Sequence, residues 1–215
     1  MSGPGSLEDA LSHERFGRNL AWAGGDRDRA LELYALNIRL SEALYPPLQM
    51  LEVVLRNRIH AILSEARHPA WFAEDGFLRV PHQAVQIATA TEELLREKKQ
   101  PTPAGIISAL TFSFWTTMLG PAYETLWQTD LHRIGRREDG KGLRRKDFSG
   151  PLTPIRLLRN RIAHHEPILA WNLPQHHAPM VRITFWLSVS AAGWCEDLDR
   201  FERIYPLERL RLLGE

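Results

Sequence analysis

The sequence predicts an all-helical protein. Apolar residues recur at three- and four-residue steps over long stretches. Prolines and glycine pairs cut those stretches where helices would end. The composition, 44% apolar and 25% charged over 215 residues, is that of a chain able to bury a core. One unit over residues 7–215 is expected, preceded by a small, disordered start over residues 1–6.

A net charge of +1 does not decide whether nucleic acid is a partner, because a balanced total can hide a basic patch facing an acidic one. A single cysteine, Cys195, excludes an internal disulfide and a cysteine-based metal cluster. It fits a reducing compartment, so a cytoplasmic location is expected. The start lacks a basic, apolar leader, and no apolar run reaches the roughly 18 residues that span a bilayer.

Taken in order, Leu7 to Trp22 is helix-compatible and is ended by Gly24-Gly25. Asp26 suits an N-cap, and Leu33, Leu36, Leu40 and Leu44 form an apolar stripe that should stop at Pro46-Pro47. Leu48, Leu51, Leu55, Ile59 and Ile62 predict a second helix to about Ala66, ahead of Pro69. That helix also carries Glu52, Arg56 and His60 at i, i+4 and i+8, with Asn57 beside Arg56. Either these form an ion-paired face in water, or Arg56 and Asn57 point at a site shared with residues farther along the chain.

Trp71 to Pro81 is expected to be irregular, and about His82 to Lys99 helical, with Val85, Ala88 and Leu95 turned inward. Its closing run Arg96-Glu97-Lys98-Lys99 suits a helix C-terminus in water. Pro103 to Leu119, with Phe112, Phe114, Trp115 and Met118, predicts a buried helix stopped by Gly120-Pro121.

The next stretch holds Arg133, Arg136, Arg137, Lys141, Arg144, Arg145 and Lys146, opposed only by Glu138 and Asp139 and loosened by glycines. Such a stretch serves either as a phosphate-contacting, RNA-binding loop or as a plain solvated one. Thr153-Pro154 then reads as N-cap and first helical position of a helix from Pro154 to about His165. Ile155, Leu158 and Ile162 form its apolar stripe, and Leu157, Asn160, Arg161 and His164 fall on the far side. At about 100° per residue, Arg159 lies about 140° from His164. Ile168 to Pro179 is expected to be a loop, and its His176-His177 pair lacks carboxylate or cysteine partners at ligand spacing. No metal or cofactor is therefore expected. About Met180 to Arg203 predicts a last helix, apolar nearly all round through Val181, Ile183, Phe185, Trp186, Leu187, Val189 and Trp194, buried in the core or in a subunit contact.

Gly-rich phosphate loops, serine elbows, zinc spacings and paired carboxylates in an apolar setting are missing from the sequence. Histidine with arginine remains. A histidine of ordinary pKa, about 6.5, exchanges protons near neutrality, and an arginine offers a fixed positive fork to phosphate oxygens. The pair suffices for metal-independent cleavage of RNA by its own 2′-OH. A structural histidine capped by an asparagine explains the same letters.

Arg159-Asn160-x-x-x-His164 resembles the Arg-x4-His pattern of the HEPN superfamily. With Glu52-Val53-Val54-Leu55-Arg56-Asn57 and Ser113-Phe114-Trp115, it makes roughly Arg15 to Trp194 look like the Abi-like (abortive infection, AbiD/AbiF type) proteins of bacteria. The resemblance implies a HEPN-like helical bundle with additional N- and C-terminal helices, and an endoribonuclease acting in phage defence or as a toxin. It also implies a homodimer with a composite site, and an antitoxin or regulatory protein as a further partner. By the same resemblance Arg159 and His164 are the catalytic pair and Asn160 orients them. Glu52, Arg56, Asn57, Arg161 and His165 are supporting candidates. The alternative of a different class is a non-catalytic helical module that binds RNA or protein.

Overall fold

The computed structural model describes residues 7–11, 13–206 and 212–213; the start expected to be disordered, residues 1–6, lies outside them. Among the described residues every regular element is a helix. The chain begins with α1 (Leu7–Leu11) and α2 (His13–Trp22), which ends in Gly24 and Gly25 at φ 66° and 87°. The spine is α3 (Arg27–Ala66), 40 residues long and capped by Asp26, whose side chain accepts the Arg29 amide at 3.1 Å.

Pro46-Pro47 does not split that helix in two, as the sequence predicts; both prolines lie inside it. An interior proline removes a hydrogen bond and crowds the preceding turn, at about 3 kcal/mol or more. The opposing force is packing. Leu40, Ala43 and Leu44 before the prolines and Leu48, Leu51 and Leu55 after them are at most 4% exposed and lie on one continuous stripe. Each large apolar side chain buried is worth about 1.5–3 kcal/mol, so a break at this point would forfeit more than the prolines take.

A connection containing a short 3-10 turn, Trp71–Ala73, leads to α4 (Pro81–Arg96). Its inward face is not Val85, Ala88 and Leu95: Val85 and Leu95 are 60% and 56% exposed, and Gln83 and Ala90 are buried instead. Gln83 is held inside by polar partners, donating to the Phe114 carbonyl at 3.2 Å and accepting from the Tyr123 hydroxyl. The expected single helix over 103–119 is two, α5 (Pro103–Ala109) and α6 (Phe112–Thr117), separated by an extended Leu110. Phe112, Phe114, Trp115 and Met118 are buried as expected. Trp71, Phe114 and Trp115 form an aromatic cluster with centroids 5.0–6.4 Å apart.

After α7 (Glu124–Thr129) comes α8 (Arg145–Ala163). It starts nine residues ahead of the predicted Pro154, and Pro151 and Pro154 are interior to it. Asp147 sets its start, accepting the Arg144 amide at 2.8 Å, and the completely buried Phe148 anchors its first turn. The predicted loop ahead of Pro179 is also mostly helix: α9 (Leu173–Leu187) is capped by Asn172 and includes His176 and His177. The predicted single last helix breaks at an extended Ser188, giving α10 (Val189–Glu196) and α11 (Phe201–Ile204). Helices α2, α6, α9, α10 and α11 all pack on α3. Among the described residues no helix is long and apolar enough to cross a membrane.

Candidate functional site

The last turn of α8 is closed by its backbone. The His164 amide donates to the Asn160 carbonyl at 2.9 Å, the His165 amide to Ile162 at 3.0 Å and the Glu166 amide to Arg161 at 2.8 Å. This is a Schellman-type ending, with His165 at φ 56°, the left-handed position that glycine usually fills. Both histidines are exposed, and their rings have no hydrogen-bond or ion-pair partner among the described residues. Asn160 is half-buried, and its side-chain amide is likewise without a partner.

Arg161 is committed to the backbone beyond the helix. Its Nε and Nη2 donate to the Pro167 carbonyl at 3.3 and 3.1 Å, Nη2 lies 3.3 Å from Glu166 Oε2, and its guanidinium sits over Trp171 at 5.4 Å. The same segment is tied to α3, where Asn37 Oδ1 accepts the buried Ile168 amide at 2.7 Å. These contacts fix the direction in which the chain leaves α8.

Arg159 faces the other way. Its Nε lies 3.4 Å from Glu52 Oε2, and both line a cleft of about 270 Å³ together with Tyr45, Val53, Arg56 and Ile162. Arg56 is held by Asn57 Oδ1 at 3.2 Å and the Ser108 carbonyl at 3.3 Å. The fold thus brings together Glu52, Arg56 and Arg159, with Asn57 positioning Arg56. Asn160, His164 and His165 do not line the cleft. Two guanidiniums with one carboxylate can hold a phosphate or a sugar hydroxyl, whereas proton transfer from an imidazole must come from outside the cleft.

The basic stretch is heterogeneous. Arg137 and Lys141 pair with Asp139 at 3.3 and 3.6 Å and Arg133 with Glu65 at 3.6 Å, at exposed positions, and the exposed Arg144 pairs with the half-buried Asp147 at 2.9 Å. Arg136 and Lys146 are exposed; the Arg136 side chain has no partner among the described residues, and the Lys146 charge acts on Glu124. Arg145 stands apart. It is 8% exposed, its Nε meets Glu124 Oε2 at 2.5 Å, and its Nη1 donates to the Leu119 carbonyl at 2.9 Å. That hydrogen bond holds the Glu124 carboxyl below its ordinary pKa, and Arg145 has a structural task rather than a face toward solvent.

Sequence reasoning missed one pair. His177 Nε2 lies 2.5 Å from Asp199 Oδ2, its ring stacks on Phe201 at 4.4 Å, and both partners are nearly enclosed. They line a larger cleft of about 580 Å³ with Val181, Phe185 and Cys195, whose thiol pKa is raised by burial and by the nearby Asp199 charge. No spacing rule links positions 177 and 199, since the contact is made by packing two separate elements. Among the described residues no group of three or more His, Cys, Asp or Glu could hold a metal ion. No family model, curated protein or solved structure matches this chain.

Proposed function

We propose that the chain is a metal-independent endoribonuclease of the HEPN type, acting in the cytoplasm in phage defence or as a toxin. Arg159 and His164 are its catalytic pair, Asn160 orients them, and two chains assemble each site. One observation carries this reading: the His164 ring stands exposed and without a partner at the end of the helix whose Arg159 lines a cleft with Arg56.

In the reaction, the 2′-OH loses its proton to an imidazole and its oxygen attacks the adjacent phosphorus. The bond to the 5′-oxygen breaks as that oxygen takes up a proton, leaving a 2′,3′-cyclic phosphate. Arg159, with Arg56 beside it, meets the charge that builds on the phosphorane oxygens. Arg133, Arg136, Arg137, Lys141, Arg144 and Lys146 contact flanking phosphates. Arg145, 8% exposed and bound to Glu124 and the Leu119 carbonyl, is left out of that set.

The test is purified protein and its His164→Ala form incubated with total RNA and tRNA in the presence of chelator. Loss of cleavage by about 10²-fold or more, with folding and RNA binding kept, is expected, since positioned acid–base groups contribute about that much. Equal cleavage by both forms overturns the reading. The Arg159–Glu52 ion pair favours a second reading, a non-catalytic RNA- or protein-binding module in which Arg159 only pins α8 to α3.

A further inference from the structure

A second basic recess, about 440 Å³, opens where the Gly135 turn meets the C-terminal end of α9, and it shares no lining residue with the cleft at Arg159. Arg58, Arg133, Arg136 and Arg137 line it, against one carboxylate, Glu138. The turn is pressed onto α9: a Cβ on Gly135 would stand 2.3 Å from the Trp186 carbonyl oxygen, and the Arg136 amide donates to that same oxygen at 3.1 Å. Arg136 and Arg137 therefore project from a seated backbone rather than from a free loop.

Arg58 reaches the recess from α3. Its Nε donates to the Ile134 carbonyl at 3.1 Å, which orients the guanidinium and leaves its terminal nitrogens for a ligand. The Arg136 guanidinium has no acceptor among the described residues. The rim pairs, Arg133 with Glu65 at 3.6 Å and Arg137 with Asp139 at 3.3 Å, are solvent-exposed and exchange readily for a better anion. Ser188 and Val189 at the start of α10 also line the recess, where the helix dipole favours negative charge. Arg58 and Arg136, with no carboxylate partner among the described residues, leave the recess an excess of positive charge that a bound anion would offset.

We infer that this recess binds a phosphate group, carried either by an RNA backbone or by a free nucleotide, with Arg58 and Arg136 as its principal ligands. The inference rests on the RNA-binding part of the proposed function and on none of its cleavage chemistry. The RNA arm is therefore run in both wild-type and His164→Ala protein.

The experiment measures binding of a short fluorescein-labelled single-stranded RNA by anisotropy across a salt series, and binding of AMP by calorimetry. Arg136→Ala, an exposed change, is compared with Arg58→Gln and with Arg96→Ala, a distant exposed control. Arg136→Ala is expected to weaken the phosphate ligand about tenfold or more and, for RNA, to lower the salt slope by about one. Arg96→Ala is expected to match wild type. AMP binding that displaces RNA assigns the recess to nucleotide phosphates generally; RNA binding alone assigns it to the backbone of a chain. Wild-type affinity in Arg136→Ala for both probes, or binding of neither probe by the wild type, overturns the inference. Loss of cleavage in His164→Ala with this pattern retained separates the recess from the catalytic reading.

Discussion

His60 shows how one partly buried group makes stability depend on pH. Its Nδ1 accepts the Trp71 indole N–H at 3.1 Å, and burial holds its pKa below the ordinary 6.5. Well above pH 6.5 the ring is neutral in both folded and unfolded chains and contributes no slope. As pH falls below 6.5, the unfolded chain takes the proton first, so stability is lost until the lowered folded pKa has been passed. Urea unfolding across this range should show a steeper acid loss in wild type than in His60→Gln, whose amide oxygen can still accept from Trp71; equal slopes would refute the assignment. Arg159 poses a different question, because its pair with Glu52 offers a structural job in place of a catalytic one. The two side chains are 38% and 23% exposed, so screening limits their coupling to about 1 kcal/mol or less in a double-mutant cycle. Glu52→Ala should therefore alter stability little while Arg159→Ala abolishes cleavage. Equal and large stability losses for both would favour the binding-module reading.

At the scale of helices, the elements that sequence periodicity misjudged are those where tertiary packing outvotes a local signal. Proline spacing puts a boundary at 46–47, yet the stripe from Leu40 to Leu55 holds α3 together across it. If packing carries the prolines, Pro46→Ala should restore a hydrogen bond to the helix and raise stability by about 1–3 kcal/mol, less what the looser unfolded chain regains. A lower denaturant midpoint in that variant would contradict this account. The inward face of α4 was hidden for another reason: counting apolar residues cannot find Gln83, a polar residue held in the core by Phe114 and Tyr123. The break between α9 and α10 rests on Ser188, whose hydroxyl accepts the Ala191 amide at 3.2 Å. Ser188→Ala should cost about 1 kcal/mol, read from thermal unfolding. Of the candidate site, the row Glu52–Arg56 was legible because it lies on one helix, and so was the divergence of Arg159 from His164. The meeting of Arg159 with Glu52, 107 positions apart, was not, because it needs α8 laid against α3.

Over the whole molecule, the cleft between α3 and α8 is lined by one member of the proposed catalytic pair and not by the other. Arg159 lines the cleft against α3, and His164 does not line it. On the proposed reading, a phosphate seated at Arg159 takes its imidazole from a second copy related by a two-fold axis, one for each cleft. Leu157 on α8 and Tyr45 at the cleft, 46% and 59% exposed, are the apolar groups such a contact would cover. The chain should then sediment as a dimer, at about twice its 24.7 kDa. Mixing the variants gives the decisive measurement. Arg159→Ala keeps His164, and His164→Ala keeps Arg159, so a mixed dimer carries one intact composite site. With random exchange about half the dimers are mixed, each with one of its two sites working, and about a quarter of wild-type cleavage should return on mixing two inactive proteins. If each site is built within one chain, every mixed dimer is as inactive as its parents, and the mixture should cut no RNA.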